Sequence, residues 1–292
     1  MYWRWAGLGN YLRKHELILR YFLHLCYDGT NYCGWQVQSN APSVQQTINE
    51  ALQKLLGHHI ASMGCGRTDT GVHAKDFYMH FDAQEPIADK VNFLFRLNCV
   101  LPDDITIFKI IDVAEKAHTR FDATERTYEY YVHFDKSPFI KKYSFYQGFY
   151  QIDWDKVNEA TTFLKGIEDF TSLCLPSVDF KTNICLIKEA KWDILPAQHL
   201  ILKHFDFNDT SAPLSTSFAR KPGEILRFTV TSNRFLRGMI RKIVGTVLMV
   251  GKGKIELDDF KHVVAEKRDF KIHYLAPPNG LFLTKIRYPY ID

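Results

Sequence analysis

Strand-like and helix-like signals alternate through both halves of this chain, and that alternation predicts an α+β (mixed α/β) fold. Three observations carry the reading. Apolar runs of period 2 appear at residues 21 to 27 and again at 128 to 132. Apolar residues at helical spacing follow capping signals after Ser43 and after Asp153. Neither internal repeats nor low-complexity linkers interrupt the alternation. At 292 residues, 46% of them hydrophobic, the chain can bury one large core or form two halves around a cleft.

Residues 1 to 19 are aromatic and basic, with Arg4, Arg13 and Lys14 and no acid before Glu16. They lack serine and have a poor apolar stretch, so they read as a variable N-terminal extension or a misassigned start rather than a transit peptide or signal. In the next segment Tyr21, Leu23, Leu25 and Tyr27 line one face and Phe22, His24 and Cys26 the other, which predicts a strand buried on both sides. Ser43 then stands as N-cap with Gln46 three residues on, and Val44, Ile48, Ala51, Leu52, Leu55 and Leu56 form a helical stripe that Gly57 ends. Residues 79 to 83 read as a strand, Pro86 as a turn and 89 to 98 as a helix. Tyr128, Tyr130 and Val132 alternate with Glu129, Tyr131 and His133 as another strand, and 153 to 165 reads as a helix closed by Gly166. Segment 203 to 224, with Pro213, Pro222 and Gly223, reads as a loop or extended hairpin. A boundary near residues 112 to 120 divides the chain into 20–115 and 116–292.

Composition excludes several classes. Lysine and arginine outnumber acids by 37 to 33, a net +4 that permits a nucleic-acid partner without requiring one. Six cysteines contain no C-x-x-C pair, so no zinc ribbon or thioredoxin-like motif is encoded, and they read as reduced thiols. No run approaches the roughly 18 apolar residues that span a bilayer. His80 and Asp82 lie two apart without a third ligand at a recognised spacing, so no metal is assigned.

Chemistry concentrates in Gly64-Cys65-Gly66-Arg67-Thr68-Asp69-Thr70-Gly71-Val72-His73-Ala74. Gly64, Gly66 and Gly71 suggest a loop shaped around a ligand, in which Asp69 serves as nucleophile, general base or metal ligand. The competing reading is a surface turn with Asp69 capping an amide and Arg67 solvated. A second concentration is a helix expected from about Asn233, which would set Arg234, Arg237 and Arg241 on one face and Ile240, Ile243, Val244 and Val247 on another. Like charges four apart cost roughly 0.2–0.5 kcal/mol, so this face is either solvated or matched to an anion.

A resemblance decides among these alternatives. The run Gly66-Arg67-Thr68-Asp69-x-Gly71-Val72-His73-Ala74 resembles the catalytic loop of the TruA family of tRNA pseudouridine synthases. Further blocks resemble the same family in the same order: Tyr27-Asp28-Gly29-Thr30 with Gly34-Trp35-Gln36, Leu101-Pro102-Asp103, Phe121-Asp122-Ala123-Thr124 with Arg126-x-Tyr128-x-Tyr130, Asp169-Phe170-Thr171-Ser172, Phe235-Leu236-Arg237 with Arg241, and Ala276-Pro277-Pro278. Together they extend from about Tyr21 to about Tyr288.

The resemblance implies two similar halves, each a mostly antiparallel sheet flanked by helices, with a catalytic cleft between them. It implies that Asp69 is the catalytic residue that opens the N-glycosidic bond of a uridine, that no cofactor takes part, and that Arg241 pairs with Asp69. An unpaired buried aspartate would rise above about 3.9 and lose its charge, which a neighbouring arginine prevents. Arg67 matches the arginine that holds a flipped-out backbone, and Tyr128 the tyrosine that stacks on the target base. Arg234 and Arg237 are left as candidates for phosphates, and His73 for a backbone group or an RNA phosphate. Asp28 and Trp35 are assigned to support of the fold and RNA contacts. Thr70 departs from the alanine of many bacterial members and the lysine of many eukaryotic ones, a change that leaves the chemistry intact. The implied substrate is the anticodon arm of tRNA at uridines 38, 39 and 40, acted on by a cytoplasmic homodimer with no membrane partner. The rival functions are a non-catalytic tRNA-binding or folding chaperone and an aspartate-dependent phosphotransferase. The second lacks a D-x-D motif at Asp69 and a phosphate-binding Gly-rich Lys loop.

Overall fold

In the computed structural model the residues described are 19–148, 150–176, 182–196, 212–213, 223–271 and 274–291. The N-terminal extension up to residue 18 and most of segment 203 to 224 lie outside them. Ten strands form one sheet: β1 (Leu19–Tyr27), β2 (Met63–Gly64), β3 (His73–Ala83), β4 (Ile105–Asp112), β5 (Glu125–His133), β6 (Phe145–Tyr146), β7 (Ile187–Pro196), β8 (Ala212–Pro213), β9 (Glu224–Ser232) and β10 (Leu281–Arg287). Their order is β4-β1-β3-β10-β5-β9-β7-β8, with β2 on β3 and β6 on β5. Among the described residues five helices accompany the sheet: α1 (Val44–Leu56), α2 (Lys90–Val100), α3 (Trp154–Phe163), α4 (Met239–Gly251) and α5 (Leu257–Ala265).

Local chemistry explains the helix starts. Ser43 Oγ accepts from the Gln46 amide at 3.3 Å, Asp89 from Asn92 at 3.0 Å and Asp153 from Lys156 at 3.1 Å, each satisfying an N–H that the first turn leaves unpaired. Only half of the capping box at Ser43 forms, because the Gln46 side chain turns to Glu50 at 2.9 Å. Gly57 ends α1 in the left-handed conformation, as expected. α3 is shorter than its pattern predicts, tightening into a 3-10 turn at Leu164–Gly166.

One expectation is corrected. The helix expected from about Asn233 begins only at Met239, because Gly238 stands at its N-cap with φ +63. That left-handed turn breaks the helical path, so Arg234 and Arg237 lie in the lead-in and share no helical face with Arg241. Gly238 is also sterically required, since a Cβ there would sit 2.7 Å from Leu175 Cδ1.

The sheet runs across the boundary near residues 112 to 120 without interruption. The C-terminal strand β10 pairs parallel with β3 and antiparallel with β5, so the two halves are joined edge to edge by backbone hydrogen bonds. Register across this seam sets which side chains share a face. Ala74, Leu283, Tyr128 and Val230 form one row, and His73, Phe282, Glu129 and Thr229 form the next. Adjacent rows face opposite ways, so Tyr128 points to one side of the sheet and His73 to the other. Fully buried Phe22, Leu23, Leu25, Phe77 and Phe81 fill the N-terminal part of the core, while Phe228, Ile243, Val244 and Phe260 fill the C-terminal part.

His80, on β3, illustrates how burial couples to charge here. Its Nδ1 lies 2.8 Å from Thr119 Oγ1, its ring stacks on Phe22, and His118 approaches edge-on at 4.7 Å. Burial first, then the positive charges of Arg20 and His118, lower its pKa to about 4, against weaker opposition from Asp82 and Asp122. The unfolded chain therefore binds a proton between about pH 6.5 and 4 that the folded chain refuses, and stability is lost as pH falls through that window, by about 1.4 kcal/mol per unit at most. An NMR titration of the imidazole is expected to give a midpoint near 4, and a midpoint near 6.5 would contradict the burial argument.

Candidate active site

Asp69 sits in the loop between β2 and β3, at the seam where the halves meet. The loop is anchored against the segment after β1: Trp35 N–H donates to Thr68 O at 3.2 Å, Gly71 N–H to Tyr32 O at 3.3 Å, and Tyr27 and Thr68 hydroxyls meet at 2.9 Å. Gly34 permits this approach. It stands at φ +92, and a Cβ there would lie 2.5 Å from Thr68 O. Of the loop's own glycines, Gly64 packs against the Trp35 ring and Gly71 has positive φ, whereas Gly66 faces open space and no steric need explains it. The surface-turn alternative is set aside, since Asp69 points to a guanidinium instead of an amide.

That guanidinium is Arg241, in the first turn of α4. Its Nη1 lies 3.3 Å from Asp69 Oδ2, while its Nε donates to Ala276 O at 2.7 Å. The Ala276 N–H in turn donates to Arg241 O at 3.0 Å. Arg241 is thus held at both ends of its length, with the Tyr130 hydroxyl fixing the adjacent Pro277 carbonyl at 2.7 Å. A carboxylate 29% exposed faces a guanidinium 15% exposed, so the pair is shielded on the cation side and open on the acid side. That asymmetry leaves Asp69 free to meet a reactant.

Tyr128 lies on β5, separated from β3 by β10, with 8% of its surface exposed. Phe235 packs edge-on against it at 5.1 Å. Burial, then the neighbouring Cys65, and to a smaller extent Asp69, raise its phenol above the ordinary value while Arg126 opposes them. Asp69, Arg241 and Tyr128 therefore come together. Arg67 is exposed on the same loop, and Arg234 and Arg237 lie on the segment that carries Phe235, with Arg237 exposed.

His73 is separated from this group. It is 2% exposed, stacks on Phe282 at 4.6 Å and approaches Asp28 Oδ1 through Nδ1 at 3.0 Å. The Gly29 N–H also points at Nδ1, 3.1 Å away. One nitrogen cannot donate to the acid and accept from the amide in the same tautomer. A proton on Nδ1 serves Asp28 and orphans the Gly29 N–H, whereas a proton on Nε2 lets Nδ1 accept from Gly29 and leaves that buried Nε2–H unpaired. Of the two roles open to His73, bonding within the protein is the one its burial supports. Burial alone would raise Asp28, but donors from His73, Lys142 and Thr30 hold it well below the usual carboxylate range. Trp35 is buried beneath the loop, its ring 4.1 Å from that of Phe77.

Arg126 is the residue that sequence reasoning passed over. Its guanidinium donates to four backbone carbonyls: Cys65 at 3.0 Å, Arg120 at 2.7 Å, Ala123 at 3.2 Å and Asn233 at 2.9 Å. It thereby ties the root of the Asp69 loop to the strand end that leads to Phe235. A signal was present, since Arg126 shares a strand face with Tyr128 and Tyr130, where a charge needs a compensating partner.

Comparison with known proteins bears on what this geometry belongs to. Residues 160–289 match the model of the tRNA pseudouridine synthase family. The chain is 40% identical over 270 residues to tRNA pseudouridine synthase A of Bacteroides thetaiotaomicron, covering 92% of this chain and 91% of that one. It is 40% identical to the protein of that name from Parabacteroides distasonis, covering 92% and 96%, and 34% identical to that of Clostridium acetobutylicum, covering 91% and 98%. The chain belongs to the tRNA pseudouridine synthase A family. It is therefore an isomerase, and its helix-flanked mixed sheet is the pseudouridine synthase fold. Among the described residues no helix is long and apolar enough to cross a membrane.

Replacing Arg126 by lysine keeps the charge but offers one ammonium for four carbonyls spread over three segments. At least one hydrogen bond to a charged group is lost, since an ammonium has three donors, and each lost bond is worth about 1.5–3 kcal/mol. The melting temperature is expected to fall by roughly 5 °C or more, and an unchanged melt would show that the clamp carries no stability.

Proposed function

We propose that this enzyme converts uridine to pseudouridine in the anticodon arm of tRNA, at positions 38, 39 and 40, with Asp69 as the catalytic nucleophile. The observation that carries the reading is the Asp69–Arg241 contact at 3.3 Å with Tyr128 beside it. The reaction breaks the N1–C1′ bond, turns the uracil and forms a C5–C1′ bond. N1 gains a proton and C5 loses one, so no oxidant, reductant or cofactor is consumed.

Each residue has a part in that sequence. A base in a folded arm must leave its stack, at a cost of a few kcal/mol, before a carboxylate can reach its sugar. Arg67, exposed two residues before Asp69, suits the vacated space and the displaced backbone. Tyr128 offers a ring face to the uracil, stiffened by the orthogonal ring of Phe235. Its raised phenol stays protonated near neutrality, which suits it to donate a hydrogen bond and makes it a poor base. Arg241 supplies positive charge beside the carboxylate that attacks. Arg234 and Arg237 face phosphates, so binding weakens with salt. The assembly is a homodimer working in the cytoplasm, with tRNA as its partner.

Incubating anticodon-arm RNA with wild-type and Asp69→Ala protein, without added metal, tests the assignment through chemical tagging of pseudouridine. Product at positions 38 to 40 with the wild type, and a loss of at least about 10³-fold with the variant, is expected. Equal product from both proteins would favour a role for Asp69 outside the chemistry. Tight RNA binding without product from either would favour the chaperone reading.

A further inference from the structure

We propose, on the reading that the substrate is tRNA, that the groove beside the Asp69 loop binds a phosphodiester of the RNA strand next to the target nucleotide, with Lys141 and Lys142 as its cations. The groove has a volume of about 570 Å³. One wall is Thr70 and Gly71, which directly follow Asp69. The other is Pro278 and Asn279, which follow the Ala276–Pro277 carbonyls that hold Arg241 and Tyr130. Both walls are therefore continuous in sequence with residues of the reacting centre, and it is between them that we place the phosphate neighbouring the target nucleotide.

The charged residues that line it are basic. Among the described residues, Lys141 and Lys142 line the groove and no acidic residue does. Asp28, the acid closest to them in contact terms, is already engaged: Thr30 donates to Oδ1 through its N–H and hydroxyl, His73 approaches the same oxygen, and Lys142 and Tyr143 donate to Oδ2 at 2.7 and 3.0 Å. Asp28 thereby aims Lys142 without exhausting it, since an ammonium has three N–H donors and one is used on the carboxylate. Lys142 remains half-exposed and Lys141 is exposed.

The cations also sit on a turn that is fixed before any ligand arrives. The Asn279 side-chain amide donates to Lys141 O at 2.9 Å and to Ser144 O at 3.0 Å, while the Ser144 hydroxyl donates to Ile140 O at 2.7 Å. A pre-ordered turn reduces the entropy lost on binding. Pro138 and Pro278 add apolar surface suited to a ribose face, and the Thr70 hydroxyl suits a phosphate oxygen. A strand with alternating sugar and phosphate fits this mixture better than a free anion does.

The test is the affinity of the full chain for whole tRNA at 50 to 200 mM salt, measured for wild type, Lys141→Ala, Lys141→Glu and Lys141→Arg. Loss of one phosphate contact should weaken Lys141→Ala several-fold at low salt, lower the slope of log K against log salt by about 0.7–0.9, and shrink the affinity lost across that salt range by about threefold. Lys141→Glu should bind more weakly still, and Lys141→Arg should restore both affinity and slope. Wild-type affinity and slope in Lys141→Ala and Lys141→Glu, alongside a wild type that binds and modifies tRNA, would overturn the groove assignment and leave the tRNA reading standing. A wild type that binds tRNA no better than an unrelated duplex of equal length would overturn both.

Discussion

A single ion pair between residues 172 positions apart organises this enzyme: the Asp69 carboxylate against the Arg241 guanidinium. Bringing such distant groups within hydrogen-bond reach needs a rigid frame. β10 supplies it by inserting between β3 and β5, so that the loop entering β3 and the strand that carries Tyr128 are set by the same backbone ladder. The contact is long for a hydrogen bond and open to solvent on the acid side, so it contributes little to stability by itself. Its value lies in keeping a charge beside a charge where a reactant can enter.

The supports of that pair divide between two arginines with different tasks. Arg241 reaches the acid and is steadied by Ala276, whereas Arg126 gathers four carbonyls from the segments around the site. A guanidinium can do this because its donors are planar and fixed in direction. On the far side of the sheet His73, Asp28 and Lys142 form a separate polar group, in which the carboxylate fixes the direction of the lysine ammonium.

Much of the fold was legible because its signals are local. Period-2 runs at Tyr21 and Tyr128, and caps at Ser43 and Asp153, correspond to observed strands and helices. The lead-in to α4 was not legible, because its outcome depends on one glycine turning left-handed against Leu175, a contact remote in sequence. Asp69, Arg241 and Tyr128 could be named from their motifs and do converge. His73 shares the same motif yet faces away, because strand alternation at the β3–β10 seam outweighs nearness along the chain. Arg126 and the Lys141–Lys142 turn escaped notice for a similar reason: what they do is defined by carbonyls and walls from distant segments.

The most direct measurement is the single-turnover rate of Arg241→Ala on anticodon-arm RNA at saturating enzyme, taken with its affinity for the same RNA. If Arg241 acts on the Asp69 carboxylate, the rate falls by about 10²-fold or more while the Kd changes by less than about threefold, as for loss of one aligned donor in an active site. A wild-type rate with a raised Kd would mean that Arg241 holds RNA instead, and would contradict the account.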